Sequence, residues 1–300
     1  MLVDFSQYRV GDPQRKGALT VFPLFSATAE GVDYLLAGEA LVDRSVVVEE
    51  VSELGSVPDL VVENKSDSRV LFLEGEELVG AKQNRVLNTS VLISARSRTK
   101  IPVSCVEQGR WRYRNRNLET SGSFSTTRIR LAVKASVARS LRARRGHRSD
   151  QSTVWKEVDE LETTHGVASQ THALSDVYEA HRDRIAELQE GLPYVDGAVG
   201  MAVAVGGKVV ALDLFDKPST CRKVWRGVLS GYVFDALETQ AGRPAAGEVE
   251  RLLRAAREAA WDAVETVGEG EEYRAELGAD HASALCSGGY LVHGSISAAA

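Results

Sequence analysis

Three hundred residues with 43% apolar and 26% charged content have the make-up of a soluble globular protein, with chain enough for one large core or two ordinary ones. A net charge of -6 excludes a surface built throughout to neutralise phosphates, and no run approaches the ~18 apolar residues that span a bilayer. Cys105, Cys221 and Cys286 are odd in number and far apart, which argues against a disulfide framework or a CxxC metal knuckle; with no basic-then-apolar leader at MLVDFSQYRV, the chain reads as cytoplasmic.

In chain order, residues 18 to 62 predict short strands: ALTVFPLFSA, VDYLLAGEAL and SVVVEEVSELGSVPDLVVEN. Their Val- and Leu-rich runs are bounded by Pro, Gly, Ser and Asp, although a helical turn around Glu39 to Leu41 is an alternative within the second. ENKSDSR reads as a turn. VLFLEGEELVGA and NRVLNTSVLISA follow as two strands joined by GAKQNR, with Gly75 and Gly80 marking bulges or tight turns, and KIPVSCVE is a further strand with Pro102 near its start. From Arg112 to Arg130 the chain turns polar and reads as a linker or loop.

RIRLAVKASVARSLRARR leans helical and is basic from Arg128 to Arg148. DQSTVWKEVDELETTHGV predicts a helix capped by Ser152 or Thr153, and THALSDVYEAHRDRIAELQEGL a second one, ended by Gly191 and Pro193. GAVGMAVAVGGKVVALDLF predicts a hairpin turning at Gly206-Gly207, where a two-residue loop needs positive φ. Ser219 or Thr220 is expected to cap a helix through CRKVWRGVLSGYVFDALE, another helix runs from about Gly247 to Thr266, and EEYRAELG and ASALCSGGYLVHGSIS close the chain as strands. This order is α+β: an antiparallel β-sandwich or small barrel with inserted and C-terminal helices. Residues 1–117 are expected to form a β-rich half and residues 118–300 the helices with two hairpins, packed together as one compact unit. The apolar hairpin at 200 to 215 could pair across a dimer edge, so a homo-oligomer is possible.

Chemically capable side chains gather between Val70 and Trp111. Glu74, Glu76 and Glu77 crowd three carboxylates into four residues, close enough to raise one another's pKa by repulsion and yield a general acid or base; the alternative is a set of exposed edge charges. Lys82, Gln83, Asn84 and Arg85 put two cations and two amides beside a glycine, suited to a carboxylate or phosphate, though without P-loop spacing. Glu107, Arg110 and Trp111 could grip a base or sugar, or Trp111 could plug the core. Cys105, flanked by apolar residues, reads as a buried structural thiol rather than a nucleophile. The basic segment 128 to 148 has no interleaved aromatics, so it reads as a solvated face and nucleic acid is not an expected partner. No GxSxG, HExxH, GxGxxG or EF-hand pattern appears, no metal-ligand set is expected, and no cofactor is specified.

EGEELVGAKQNR at 74 to 85, IPVSCVEQGRW at 101 to 111, QSTVW at 151 to 155 and SQTHAL at 169 to 174 resemble the ADP-ribosylglycohydrolase and rhodanese-phosphatase-associated protein domain family, over Thr20 to about His293. The resemblance implies an association with ADP-ribose- and phosphate-handling enzymes and supplies no catalytic residue. It marks Glu76, Lys82, Gln83, Asn84, Arg85, Cys105, Glu107, Arg110, Trp111, Gln151 and Trp155 as motif positions of a presumed site. The expectation is then a pocket for a phosphorylated or ADP-ribose-like small molecule: Lys82, Arg85 and Arg110 hold the anion, Gln83 and Asn84 supply amides, Trp111 stacks, and Glu76 or Glu107 activates water if the protein is a hydrolase. The competing expectation is a non-catalytic interaction module in which the same motifs form a buried polar network. Either depends on 82 to 85 meeting 107 to 111 across neighbouring strands.

Overall fold

The computed structural model describes residues 4–28, 30–245 and 247–299. By contact the chain forms two units: Asp33–Arg182 with Thr266–Glu269, and the remainder. The bounds of these units fall at 32/33, 182/183, 265/266 and 269/270.

In the first unit, six antiparallel strands close into a barrel: Val46–Glu50, Asp59–Asn64, Glu76–Gly80, Arg85–Leu87, Ser97–Cys105 and Asn117–Phe124. Of the two architectures expected, this is the small barrel. Period-two alternation turns Val48, Leu60, Val62, Leu78, Leu87, Ile101, Val103 and Leu118 into one apolar core. The same parity places Glu50 on the face of Val46 and Val48, since all three are buried while Val47 and Glu49 between them are only partly so. The last barrel strand lies inside the stretch that reads as a linker. Only Leu118 and Phe124 of NLETSGSF are fully buried, so its outward polar half hides the strand. A smaller sheet joins Leu35–Leu36, Val70–Phe72 and Val91–Ile93, its first pair parallel. VDYLLAGEAL is thus mostly not strand: it turns helical at Ala37–Val42, where Ala37 and Ala40 are buried in the barrel core.

Three helices of this unit carry motif segments or border them. Thr127–Arg142 follows the barrel; Gln151–His165 is capped by Asp150, whose carboxylate accepts from Ser152 N and Thr153 N, rather than by either of those residues. The segment expected as one long second helix breaks at His181 into Leu174–Ala180 and Arg182–Glu190.

The other unit is a nine-stranded antiparallel sheet. Its path runs Tyr8–Val10, Leu19–Ser26, Gly200–Val205, Lys208–Phe215, Tyr290–Ser297, Asp280–Ser287, Glu271–Leu277 and Asp262–Val264, with Gln14–Lys16 also on Leu19–Ser26. ALTVFPLFSA therefore pairs with the short strands just before it on one side and with the distant Gly200–Val205 on the other. The Gly206-Gly207 turn has φ of 58° and 93°, as its two-residue loop demands. That hairpin is paired on both sides, so it offers no free edge to a second copy. Helix Pro218–Glu238 starts two or three residues earlier than expected, with Lys217 at the N-cap and Pro218 presetting the first turn. Helix Glu248–Glu258 buries Val249, Leu253 and Ala256 in the apolar core. It stops short of Thr266 because Asp262–Val264 leaves it to become an edge strand beside Glu271–Leu277. No described helix is long and apolar enough to cross a membrane.

Candidate functional site

Residues 82–85 and 107–111 meet. The turn between strands Glu76–Gly80 and Arg85–Leu87 lies against the chain leaving Ser97–Cys105, because Arg85–Leu87 pairs with Val103–Cys105. The Asn84 amide donates to Glu107 Oε2 at 3.0 Å. Arg110 closes the junction: its guanidinium donates to both Glu107 oxygens at 2.8 and 2.6 Å, to the carbonyls of Gly80 and Ala81, and to Asn84 Oδ1. Asn84 Nδ2 donates to Ser175 Oγ, and Gln83 Nε2 to the Gln108 carbonyl. Gly80 is what lets these segments approach: with φ of 128°, a Cβ there would stand 2.6 Å from Asn115 Oδ1 and from the Asn117 carbonyl.

The later motif segments complete the same junction. Leu174 N donates to the Val106 carbonyl, and the amides of Gln108 and Gly109 donate to the carbonyls of His172 and Thr171, so SQTHAL lies along residues 106–109 as an added extended segment. Gln151 from QSTVW grips the backbone of Cys105 with both amide atoms, accepting from its N and donating to its O at 2.8 Å each. Glu107, buried and engaged through both oxygens, keeps a lowered pKa: Arg110 and the Asn84 amide outweigh the burial that alone would raise it. Asn84, Glu107 and Arg110 thus form a satisfied polar network that ties three segments together.

A different set faces the barrel mouth. Glu50, Arg85 and Cys105 project inward, Arg85 opposite Cys105 in register. Arg85, fully buried, donates to Glu50 Oε1 at 3.4 Å, and the Lys82 amide donates to the same oxygen at 3.3 Å. Glu50 Oε2, Arg85 Nε and Gln83 Oε1 are buried without a hydrogen-bond partner. Above them, Lys82 Nζ donates to the Glu53 carbonyl and sits 5.4 Å from the Trp111 ring centroid and 5.2 Å from that of Tyr113; Arg85 lies 5.9 Å from the Trp111 centroid. Trp111 does not plug the core but stands 46% exposed, and Tyr113 40%. Leu54 and Val57, on the loop between strands Val46–Glu50 and Asp59–Asn64, are exposed at the same rim: a Cβ on Gly55 would lie 3.0 Å from Trp111. Four of the five exposed large apolar side chains of the described chain therefore share one end of the barrel. Burial pushes the Cys105 thiol up to about 11, with Arg85 opposing, so it is protonated near neutrality.

The three clustered carboxylates are buried, not edge charges. Glu74 pairs with Lys134 at 2.6 Å. Glu76 and Glu77 are both pushed up to about 7, and the cause is burial rather than repulsion between them. Glu76 accepts from the Leu73 amide and Thr120 Oγ1, at the end of its strand away from the Gly80 turn. The basic segment supplies Arg139, Arg145 and Arg148, which line an open cavity of about 510 Å³ together with Ser136, Ser140, Ser149 and Asp150. Among the described residues, one group brings three potential metal donors within 4.8 Å of each other: Asp159, Glu162 and His172.

Sequence reasoning missed Glu50, Tyr113 and the Leu54–Val57 rim. The parity of VVVEE held the signal for Glu50; nothing local marked the rim.

A family model described as ARPP-1, the ARG and Rhodanese-Phosphatase-superfamily-associated Protein domain, matches residues 7–297. No curated protein matches the chain. No solved structure does either.

Proposed function

The chain belongs to the ARPP-1 family, and from that membership and the geometry of the barrel mouth we propose that it binds a phosphorylated, nucleotide-like small molecule there. The observation that carries this reading is the pairing of Trp111 and Tyr113, both exposed, with Lys82 between them over the buried Glu50–Arg85 pair. Flat rings accept a base by stacking, and a cation beside them accepts a phosphate. The loop itself, WRYRNRN, alternates rings with further arginines at 112, 114 and 116, so anionic groups find positive charge along its length. ADP-ribose is the ligand type suggested by the resemblance of the motif segments, and the family's association with ARG and rhodanese-phosphatase proteins fits an enzyme-associated role.

Binding, rather than hydrolysis, is what the side chains support best. Glu107 spends both oxygens on Arg110, and Glu76 spends its own on Leu73 and Thr120. The carboxylate with an unpartnered oxygen at the mouth is Glu50, and a hydrolytic step would draw its general base from there.

The test is a titration with ADP-ribose, ADP and inorganic phosphate, read by tryptophan fluorescence and by thermal shift. A saturable signal with ADP-ribose or ADP, weakened about fivefold or more in Trp111→Ala as a lost stacking contact of ~1–3 kcal/mol requires, supports the reading. No saturable response to any of the three, or an unchanged affinity in Trp111→Ala and Lys82→Met, sinks it.

A further inference from the structure

Asp159 and Glu162 stand three residues apart on helix Gln151–His165, which places both carboxylates on one face. His172 comes to them from the neighbouring turn. Its Nδ1 lies 2.9 Å from Glu162 Oε2 and 3.4 Å from Asp159 Oδ1, and all three donor atoms fall within 4.8 Å of one another. The turn is held on both sides: the carbonyls of Thr171 and His172 are bound by residues 108 and 109, and Ser169 Oγ accepts from the amides of Thr171 and Ala173 while donating to Asp176. The imidazole is therefore carried on backbone that is fixed before any ligand arrives.

A histidine between two acids is ordinarily an ion pair, and two features here go beyond one. Glu162 is buried, its side chain 7% exposed, yet its Oε1 has no hydrogen-bond partner while Oε2 faces His172. A buried carboxylate oxygen without a donor is costly unless something positive occupies its lone pairs. Second, the acids outnumber the base: Asp159 and Glu162 share one imidazole. Bonds of ~2.0–2.1 Å in tetrahedral geometry separate neighbouring ligands by about 3.4 Å; the two spacings from His172, 2.9 and 3.4 Å, stand close to that, and the two carboxylates, within 4.8 Å of each other, need only close on the ion.

We propose that Asp159, Glu162 and His172 form a site for a first-row divalent cation of the zinc or manganese type. The imidazole nitrogen disfavours calcium and magnesium, which take oxygen ligands. Asp159 and His172 are about half exposed, so an ion held by these three side chains keeps a solvent-facing coordination position, the arrangement found where a metal acts on water or substrate rather than only bracing the fold. Of its three ligands, His172 lies in the motif segment SQTHAL, and the site does not depend on the barrel mouth binding a ligand.

Full-length protein stripped with a chelator is titrated with zinc chloride and, separately, manganese chloride by calorimetry, with bound metal counted by elemental analysis. One ion per chain is expected, accompanied by a rise in Tm that chelator reverses. His172→Ala and Glu162→Gln should each weaken binding by about tenfold or more, since losing a direct ligand costs no less than losing an outer partner. Their chelator-treated Tm values and far-UV circular dichroism show whether the fold survives, and cobalt(II) substitution gives an independent readout, its visible absorption present in the wild type and lost in His172→Ala. Substoichiometric binding, or equal affinity in both folded variants, overturns the assignment and marks adventitious binding by surface groups. If either variant fails to fold, the conservative Asp159→Asn, at a half-exposed position, decides between the same two outcomes.

Discussion

Replacing Glu77 by Gln should make the protein's stability less sensitive to pH, because burial holds this carboxyl's pKa up. Glu77 is 1% exposed, neither of its oxygens makes a hydrogen bond of ordinary geometry, and burial raises its carboxyl from 4.5 to about 7, with Ser121 drawing it partly back and the charges of Glu107 and Asp176 adding to the rise. A carboxyl raised on folding holds its proton more tightly in the folded state, so its favourable contribution is fully present below about pH 4.5, declines as pH climbs through about 7, and is gone above that. At 1.36 kcal/mol per pH unit, the interval from 4.5 to about 7 is worth about 3 kcal/mol. Glutamine cannot ionise. The difference in unfolding free energy between Glu77→Gln and the wild type should therefore shift in the variant's favour by about 2.5 kcal/mol between pH 5 and pH 8, whatever constant offset the amide introduces. Urea denaturation of both proteins at pH 5, 6, 7 and 8, followed by far-UV circular dichroism, measures this difference directly. Two curves that run parallel across that range would show that Glu77 ionises normally and that the burial argument is wrong.

Arg85→Ala should cost about 3–5 kcal/mol of stability by stranding Glu50 in the barrel interior, and Arg85→Met combined with Glu50→Leu should recover much of that loss. A double-mutant cycle on chemical denaturation checks it, and additive losses would deny that the two side chains depend on each other. Gln151→Ala removes both bonds to the Cys105 backbone and should destabilise by about 2–3 kcal/mol; Gln151→Glu, which keeps the acceptor but loses the donor, should fall between that variant and the wild type. Equal stability of all three proteins in thermal melts would remove Gln151 from the junction.

The convergence of 82–85 with 107–111 was legible because it is a local matter. Two strands joined by a short turn, followed by a third that pairs back on them, leave few places for the intervening residues to go, and the barrel follows from the same spacing. Side-chain fate within that junction was not legible. Whether Glu107 is a free base or a partner of Arg110 depends on a guanidinium three residues away turning inward, and residue type alone does not fix that rotation. Glu74, Glu76 and Glu77 could be read as surface charge because nothing in four residues tells that Lys134, on a helix beyond the barrel, comes to meet Glu74. The strand Asn117–Phe124 escaped because most of it faces outward and carries the polar residues that a loop would also carry. Strand Leu19–Ser26 was recognised as a strand, but one of its partners lies as far off as Gly200–Val205. Pairing over such a separation leaves no mark in the alternation of either segment.

That distant pairing bears on how the chain is made. As a ribosome delivers the protein from its N-terminus, LTVFPLFS emerges early and waits for Gly200–Val205 while every residue of the barrel is synthesised between them. During that wait an apolar β-forming stretch has open backbone on offer to any passing chain. Pro23 does not guard that edge: its backbone faces the other side, where its carbonyl accepts from the Gly11 amide, so the edge that Gly200–Val205 will cover keeps its full set of donors and acceptors until that strand arrives.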